Sequence, residues 1–307
     1  MTQAPANPST RSEDDLLSPQ FMHKLDRLDV LSRKILAGKL QGERRSKKRG
    51  QSVEFADYRP YVAGDDLRFI DWNLYARLDR LFLRLFLEEE DLSVSVLLDV
   101  SRSMDWGDPN KLLYAKRLAA ALGYIGLVNY NRVHLYSFAE TLVDQLPNLR
   151  GRRPIPRVID FLRRQQPRQA GSLTAVCRHF ALAQRAKGLV ILISDFFDKG
   201  ELADALRYLA GDRYDVYAIQ LLAPQEIDPT KGSLVGDVKL LDCEDGQATE
   251  ISISPVLIKR YQANLQAYCQ HVRAQCRRRG IAYLFSDTSI PFDTLVLKYL
   301  REKGLLG

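Results

Sequence analysis

The sequence predicts an α/β fold: a doubly wound, mostly parallel sheet preceded by an N-terminal helical and mixed platform. Three observations lead there. From residue 92 onward, short apolar runs alternate with helical patterns, as in a chain that crosses over between parallel strands. The run 188–194 (GLVILIS) is apolar throughout, as a strand covered on both faces is. The Val- and Leu-rich run 92–98 and the run 188–194 each lead into an aspartate, Asp99 and Asp195. Parallel neighbours would raise both on the carboxyl edge of the sheet, where ligands bind in such folds.

The elements follow in order. Residues 1–14 are rich in Pro, Ser, Thr and Asn and read as a disordered tail. Ser18-Pro19 then opens a helical pattern through Phe21, Leu25, Leu28, Leu31 and Ile35, extended by Leu40. Residues 43–49 (ERRSKKR) form a basic exposed loop between Gly42 and Gly50. The stretch 55–91 interleaves Arg59, Arg68, Arg77, Arg80 and Arg84 with Asp57, Asp65, Asp66, Asp71 and Asp79, among Tyr58, Tyr61, Trp72 and Tyr75. It reads as a folded platform tied by ion pairs, with a turn at Gly64-Asp65-Asp66 and a strand at 80–87. The platform spans 15–91 and the α/β domain 92–307.

In that domain the pattern gives helices at 111–127, 155–164, 174–185, 201–210, 255–279 and 292–302. Strands fall at 132–139, 188–194, 215–222 and 281–285, with a short neighbour at 141–146. Asp245-Gly246 sits between two alternating runs and predicts a hairpin insertion near 236–254.

Composition narrows the function. A net charge of +7 over 307 residues permits an anionic partner without requiring one. The basic loop has no interleaved aromatics, so nucleic acid is not expected. The N-terminus has no apolar core and no run approaches a membrane span, so a cytoplasmic protein is expected. Its four cysteines, 177, 243, 269 and 276, form no C-x-x-C pair and read as reduced thiols. There is no phosphate loop, and no His or Lys is spaced for acid–base work, so no catalytic residue is assigned.

The chemistry concentrates in Asp99-Val100-Ser101-Arg102-Ser103. Asp99, Ser101 and Ser103 offer only hard oxygen donors, which suit Mg2+ or Mn2+ rather than Zn2+. Asp195 adds charge from a second loop, directly or through water.

LLDVSRSM before a helix resembles the metal-ion-dependent adhesion site of the von Willebrand factor A domain, and VILISDFFD resembles that fold's later aspartate strand. Residues 55–91 (YRPYVAGDDLRFIDWN–YARLDRLFLRLFLEEE) resemble the segment that marks the bacterial "domain of unknown function 58" family. The resemblance implies Asp99, Ser101, Ser103 and Asp195 as metal ligands. The fold's middle motif usually carries a Thr; here the loop reads Gln169-Ala170-Gly171-Ser172-Leu173-Thr174, Gly171 stands where Thr is expected, and Ser172 or Thr174 would replace it. It also implies partners: MoxR-type AAA+ ATPases and other von Willebrand factor A proteins, in assembly, maturation or activation of other proteins.

The leading expectation is a non-enzymatic protein-binding module whose divalent cation is completed by an acidic residue of a partner. A metal-dependent phosphoester or nucleic-acid hydrolase is the first alternative. The second is a metal-free scaffold that binds through the platform, with Arg44, Arg45, Lys47 and Lys48 as contact residues.

Overall fold

The computed structural model describes residues 16–30, 54–87, 92–169, 171–184, 186–198, 200–232, 236–241 and 248–307. The basic residues Arg44, Arg45, Lys47 and Lys48, and the tail 1–14, lie outside them.

Six strands make the central sheet: β3 (Ser93–Asp99), β4 (Arg132–Phe138), β5 (Leu142–Leu149), β6 (Gly188–Ser194), β7 (Tyr214–Leu222) and β10 (Ala282–Asp287). Their order is β10-β7-β6-β3-β4-β5, and every pairing is parallel except β4 with β5. β3, β6 and β7 are buried along their whole lengths, which explains their near-continuous apolar character. Two cores result, one on each face. The first holds Val94, Val96, Leu98 and the helix Lys111–Val128; the second holds Leu97, Leu192, Phe180 and Cys276. Alternate residues of β3 thus feed opposite cores, as a doubly wound sheet requires.

The helix Lys111–Val128 is capped by the Asn110 side chain, which accepts the Leu113 N–H. Its run of Ala and Gly permits close approach to the sheet: a Cβ on Gly126 would stand 2.7 Å from a Val133 methyl. Gly188 is tighter still, since a Cβ there would lie 2.1 Å from the Ser93 carbonyl oxygen.

One expectation at the N-terminus changes. The helix begins at Pro19, with Ser18 as its cap, but ends at Leu25 rather than continuing through Leu28. Asp26 is claimed there by the Tyr124 hydroxyl at 2.8 Å and by Arg152 at 3.1 Å. Leu28 and Val30 still reach the core, but from an irregular segment; Val30 bridges Leu306 near the C-terminus. The periodicity marked buried positions correctly and the backbone between them wrongly.

The chain divides into two compact units. One compact unit comprises Met1–Ala37 with Leu92–Gly307, the other Gly38–Asp91. Leu16, Leu17, Phe21, Leu25, Leu28 and Val30 belong to the α/β core, so the first described residues go with that unit and not with the platform.

In the platform unit, β1 (Glu54–Pro60) pairs antiparallel with β2 (Phe82–Leu87). Asp71 ties it together. One carboxylate oxygen caps the helix Trp72–Leu78 through the Asn73 and Leu74 N–H groups; the other accepts from the Tyr58 hydroxyl at 2.9 Å and Arg84 at 2.8 Å. Arg84 and these donors hold the Asp71 carboxyl far below its ordinary range. Arg59–Asp65 and Arg68–Asp66 add two further pairs.

The hairpin forms as expected from β8 (Gly236–Leu241) and β9 (Ala248–Ile253). The last helical segment, 292–302, is interrupted by a π-helical stretch at Leu295–Tyr299. Among the described residues no helix is long and apolar enough to cross a membrane.

Candidate functional site

The sheet order reverses direction at β3. From it the chain steps outward to β4 on one side, and β6 returns to pair on the other. Such a switch point leaves a crevice at the carboxyl ends of the two strands, where open α/β sheets bind ligands. Leu98 pairs with Ile193, which puts Asp99 level with Ser194 across that crevice.

Asp99 is buried and doubly engaged. Its Oδ1 accepts the Ser101 N–H at 2.9 Å, and its Oδ2 accepts the Ser194 hydroxyl at 2.6 Å. Ser194 Oγ in turn accepts the Phe196 N–H at 2.8 Å. Phe196 has a left-handed backbone, φ 63°, which a bulky residue adopts only at a cost of order 1–3 kcal/mol. Its buried ring and a hydrogen bond from the Tyr268 hydroxyl to its carbonyl hold the bend in place.

Ser101 and Ser103 share the loop after β3, and their hydroxyl oxygens are 3.0 Å apart. Ser101 opens a short 3-10 turn, yet its side chain makes no capping bond. Its hydroxyl faces Ser103 instead of the helical backbone.

Asp195 is buried too. Its Oδ1 accepts the Phe197 N–H at 3.0 Å, and its Oδ2 accepts from Lys111 Nζ at 2.9 Å. Lys111 is fully buried, 0% exposed, so this ammonium belongs to the site and not to the surface. It also donates to Glu226 Oε1 at 2.5 Å and lies 5.7 Å over the Phe197 ring. Glu226 is braced by the Ala223 N–H on its other oxygen. Burial works against the Lys111 charge, but Asp195 and Glu226 outweigh it and hold the ammonium above its ordinary value. Burial raises the Glu226 carboxyl in spite of Lys111.

Asp99, Ser101, Ser103, Ser194, Asp195 and Asp198 line one cleft with Gly171, Leu173 and Phe197. Its inner volume is about 30 Å3, room for one or two water-sized groups. Ser172 and Thr174 are not among the lining residues. Ser172 is exposed and caps the helix Leu173–Ala183 through the Ala175 N–H; Thr174 lies in that helix's first turn. Gly171 packs on Glu140 so closely that a Cβ would stand 2.3 Å from the Glu140 Cα. The loop is fixed from below by Asp198, which accepts the Leu173 N–H at 2.8 Å.

Four site residues escape the sequence reading: Lys111, Ser194, Asp198 and Glu226. Lys111 carried one signal, since a lysine in the first turn of a helix opposes the helix dipole and needs a compensating partner.

Burial, and then the nearby Asp195, push the Asp99 carboxyl up to about 7, against the pull of its Ser194 and Ser101 bonds. The unfolded value is near 3.8. Between the two the folded chain holds a proton that the unfolded chain does not, so stability falls as pH rises through this window. In chelator, melting temperature should decline from about pH 4 to about pH 7, and Asp99→Asn should flatten much of that decline. An unchanged slope in the variant would show that Asp99 is not the group responsible.

A mostly parallel, doubly wound sheet with a polar crevice at its switch point is consistent with a von Willebrand factor A-like α/β domain. The chain belongs to the family described as "Protein of unknown function DUF58", whose model matches residues 57–268. It is similar to the uncharacterized proteins Mb1516 of Mycobacterium bovis and Rv1480 of Mycobacterium tuberculosis. Each is 28% identical over 315 residues, covering 100% of this chain and 98% of the relative. Among solved structures, an aerotolerance-related membrane protein from Bacteroides fragilis aligns at 16% identity and a TM-score of 0.41, covering 69% of this chain and 99% of that one. The pilus adhesin SpaC from Lactobacillus rhamnosus, in its open conformation, aligns at 11% identity and 0.42, covering 72% and 31%.

Proposed function

We propose that this protein is a non-enzymatic binding module in which Asp99, Ser101, Ser103 and Asp195 hold a Mg2+ or Mn2+ ion and a carboxylate of a partner protein completes its coordination. The observation that carries this is the placement of the two serine hydroxyls, 3.0 Å apart in one cleft with two buried aspartates. Octahedral oxygen ligands at ~2.0–2.1 Å lie about 3 Å from their neighbours, so the pair matches one edge of such a shell. Among the described residues no group of three or more His, Cys, Asp or Glu side chains is placed to hold a metal ion, so this reading depends on the two hydroxyls as donors. When bound, the ion supplies an electrophilic position for a carboxylate. Asp99 and Asp195 supply charge, while Ser194 and the left-handed turn at Phe196 set their positions.

The cleft's size supports binding over catalysis. About 30 Å3 suits an ion with one or two waters, whereas pockets for organic substrates run to ~300–1,000 Å3. The family resemblance points to MoxR-type AAA+ ATPases and other von Willebrand factor A proteins as the first partners to test. Capture of such a partner should require Mg2+, fail in chelator and fail with Asp99→Ala. Equal capture in chelator would contradict the reading.

The platform supports a second reading, a metal-free scaffold, because Val62, Leu67, Trp72 and Leu78 are each more than half exposed. If it holds, Trp72→Ala abolishes capture while Asp99→Ala does not.

A further inference from the structure

The crevice buries two carboxylates, Asp99 and Asp195, and one ammonium, Lys111, and the partly buried Glu226 reaches that ammonium from its other side. Lys111 meets Asp195 on the same side chain that the cation reading assigns to the ion. An ammonium and a divalent ion on one buried carboxylate repel each other strongly, because little water screens them. Glu226 gives Lys111 a second anchor, closer than the first: 2.5 Å against 2.9 Å. Glu226 reaches the ammonium from the short helix Pro224–Ile227 after β7, so it does not depend on Asp195 for its position.

We infer that Lys111 is a built-in competitor of the divalent cation at this site: it occupies Asp195 when the crevice is empty and withdraws onto Glu226 when Asp195 is shared with an ion. This role depends on the cation reading of the cleft and adds to it a residue that sets the affinity. Lys111 neutralises Asp195 in the ion-free protein, so the fold does not need metal. The same contact keeps ion affinity low, which leaves loading open to assistance from a partner carboxylate. Glu226 makes the exchange possible, because it keeps the buried ammonium paired in both states.

The test is Mn2+ titration of the full chain by calorimetry, with wild type, Lys111→Gln, Glu226→Gln and the double variant. Lys111→Gln keeps a hydrogen-bond donor for Asp195 and loses the charge; it should bind Mn2+ at least about tenfold more tightly. Glu226→Gln leaves Lys111 with Asp195 alone and should bind about tenfold more weakly. In the double variant the Glu226→Gln penalty should vanish, whereas a simple loss of nearby negative charge would weaken binding equally in both backgrounds. Unchanged or weaker binding by Lys111→Gln overturns the inference while the cation reading stands. If wild type takes up no Mn2+ but Lys111→Gln does, the competition is supported; if neither does, both readings fall together. Should Lys111→Gln fail to fold, Glu226→Asp decides: it keeps the negative charge but draws the second anchor back from Lys111, so weaker binding supports the competition, and unchanged or tighter binding overturns it.

Discussion

Lys111→Met is expected to lower the stability of the ion-free protein by about 3–5 kcal/mol, the usual cost of removing one partner from a buried ion pair. The reason is in what remains. Lys111 is 0% exposed and donates to two carboxylates, at 2.9 Å and 2.5 Å. Methionine fills a similar volume, so little of the loss is a cavity; it comes from leaving the buried Asp195 and the partly buried Glu226 without their cation. Urea denaturation in chelator measures it. Added Mn2+ should restore part of the loss in the variant, because an ion at the crevice supplies the missing charge. A change under 1 kcal/mol would mean that water or a proton compensates the carboxylates and that Lys111 is not essential to the ion-free fold.

Gly171→Thr, which would give the middle loop the residue more usual in this fold, is expected to cost about 1–3 kcal/mol or more and to create no ligand. A Cβ at Gly171 would lie 2.3 Å from the Glu140 Cα and 2.7 Å from its carbonyl oxygen. Both are backbone atoms, which do not yield as a flexible side chain does. The loop must lift off Glu140, and the cleft wall that includes Gly171 and Leu173 moves with it. The variant should therefore melt lower and respond less to Mn2+ than wild type. A gain in Mn2+ response with unchanged stability would show that the loop has room for the threonine and that its absence limits the site.

The sheet was legible in the sequence because its buried strands are chemically distinct from everything around them. GLVILIS falls on β6 residue for residue, and Asp99 and Asp195 do stand at neighbouring strand ends. The Arg–Asp ties of the platform were legible as a class and appear as Arg59–Asp65, Arg68–Asp66 and Arg84–Asp71. The end of the first helix at Leu25 was not readable, since Leu28 is buried at helical spacing from Leu25 although it lies in an irregular segment. Lys111, Glu226 and Asp198 were hidden for a different reason. Their roles arise from pairings 84, 115 and 25 residues apart in the chain, which no local pattern encodes. The Ser172 and Thr174 assignments followed a motif spacing, whereas here the backbone gives the cleft Gly171 and Leu173 and leaves Ser172 to cap a helix.

The most direct test of the cation reading is Mn2+ titration of the metal-stripped protein followed by electron paramagnetic resonance, with Asp99→Ala as control. One Mn2+ should bind per chain in an all-oxygen environment and be displaced by excess Mg2+, and Asp99→Ala should bind none. Mn2+ signals that stay those of the free aqueous ion with both the wild-type and the Lys111→Gln chain, or an Asp99→Ala chain that binds as wild type does, would contradict the account.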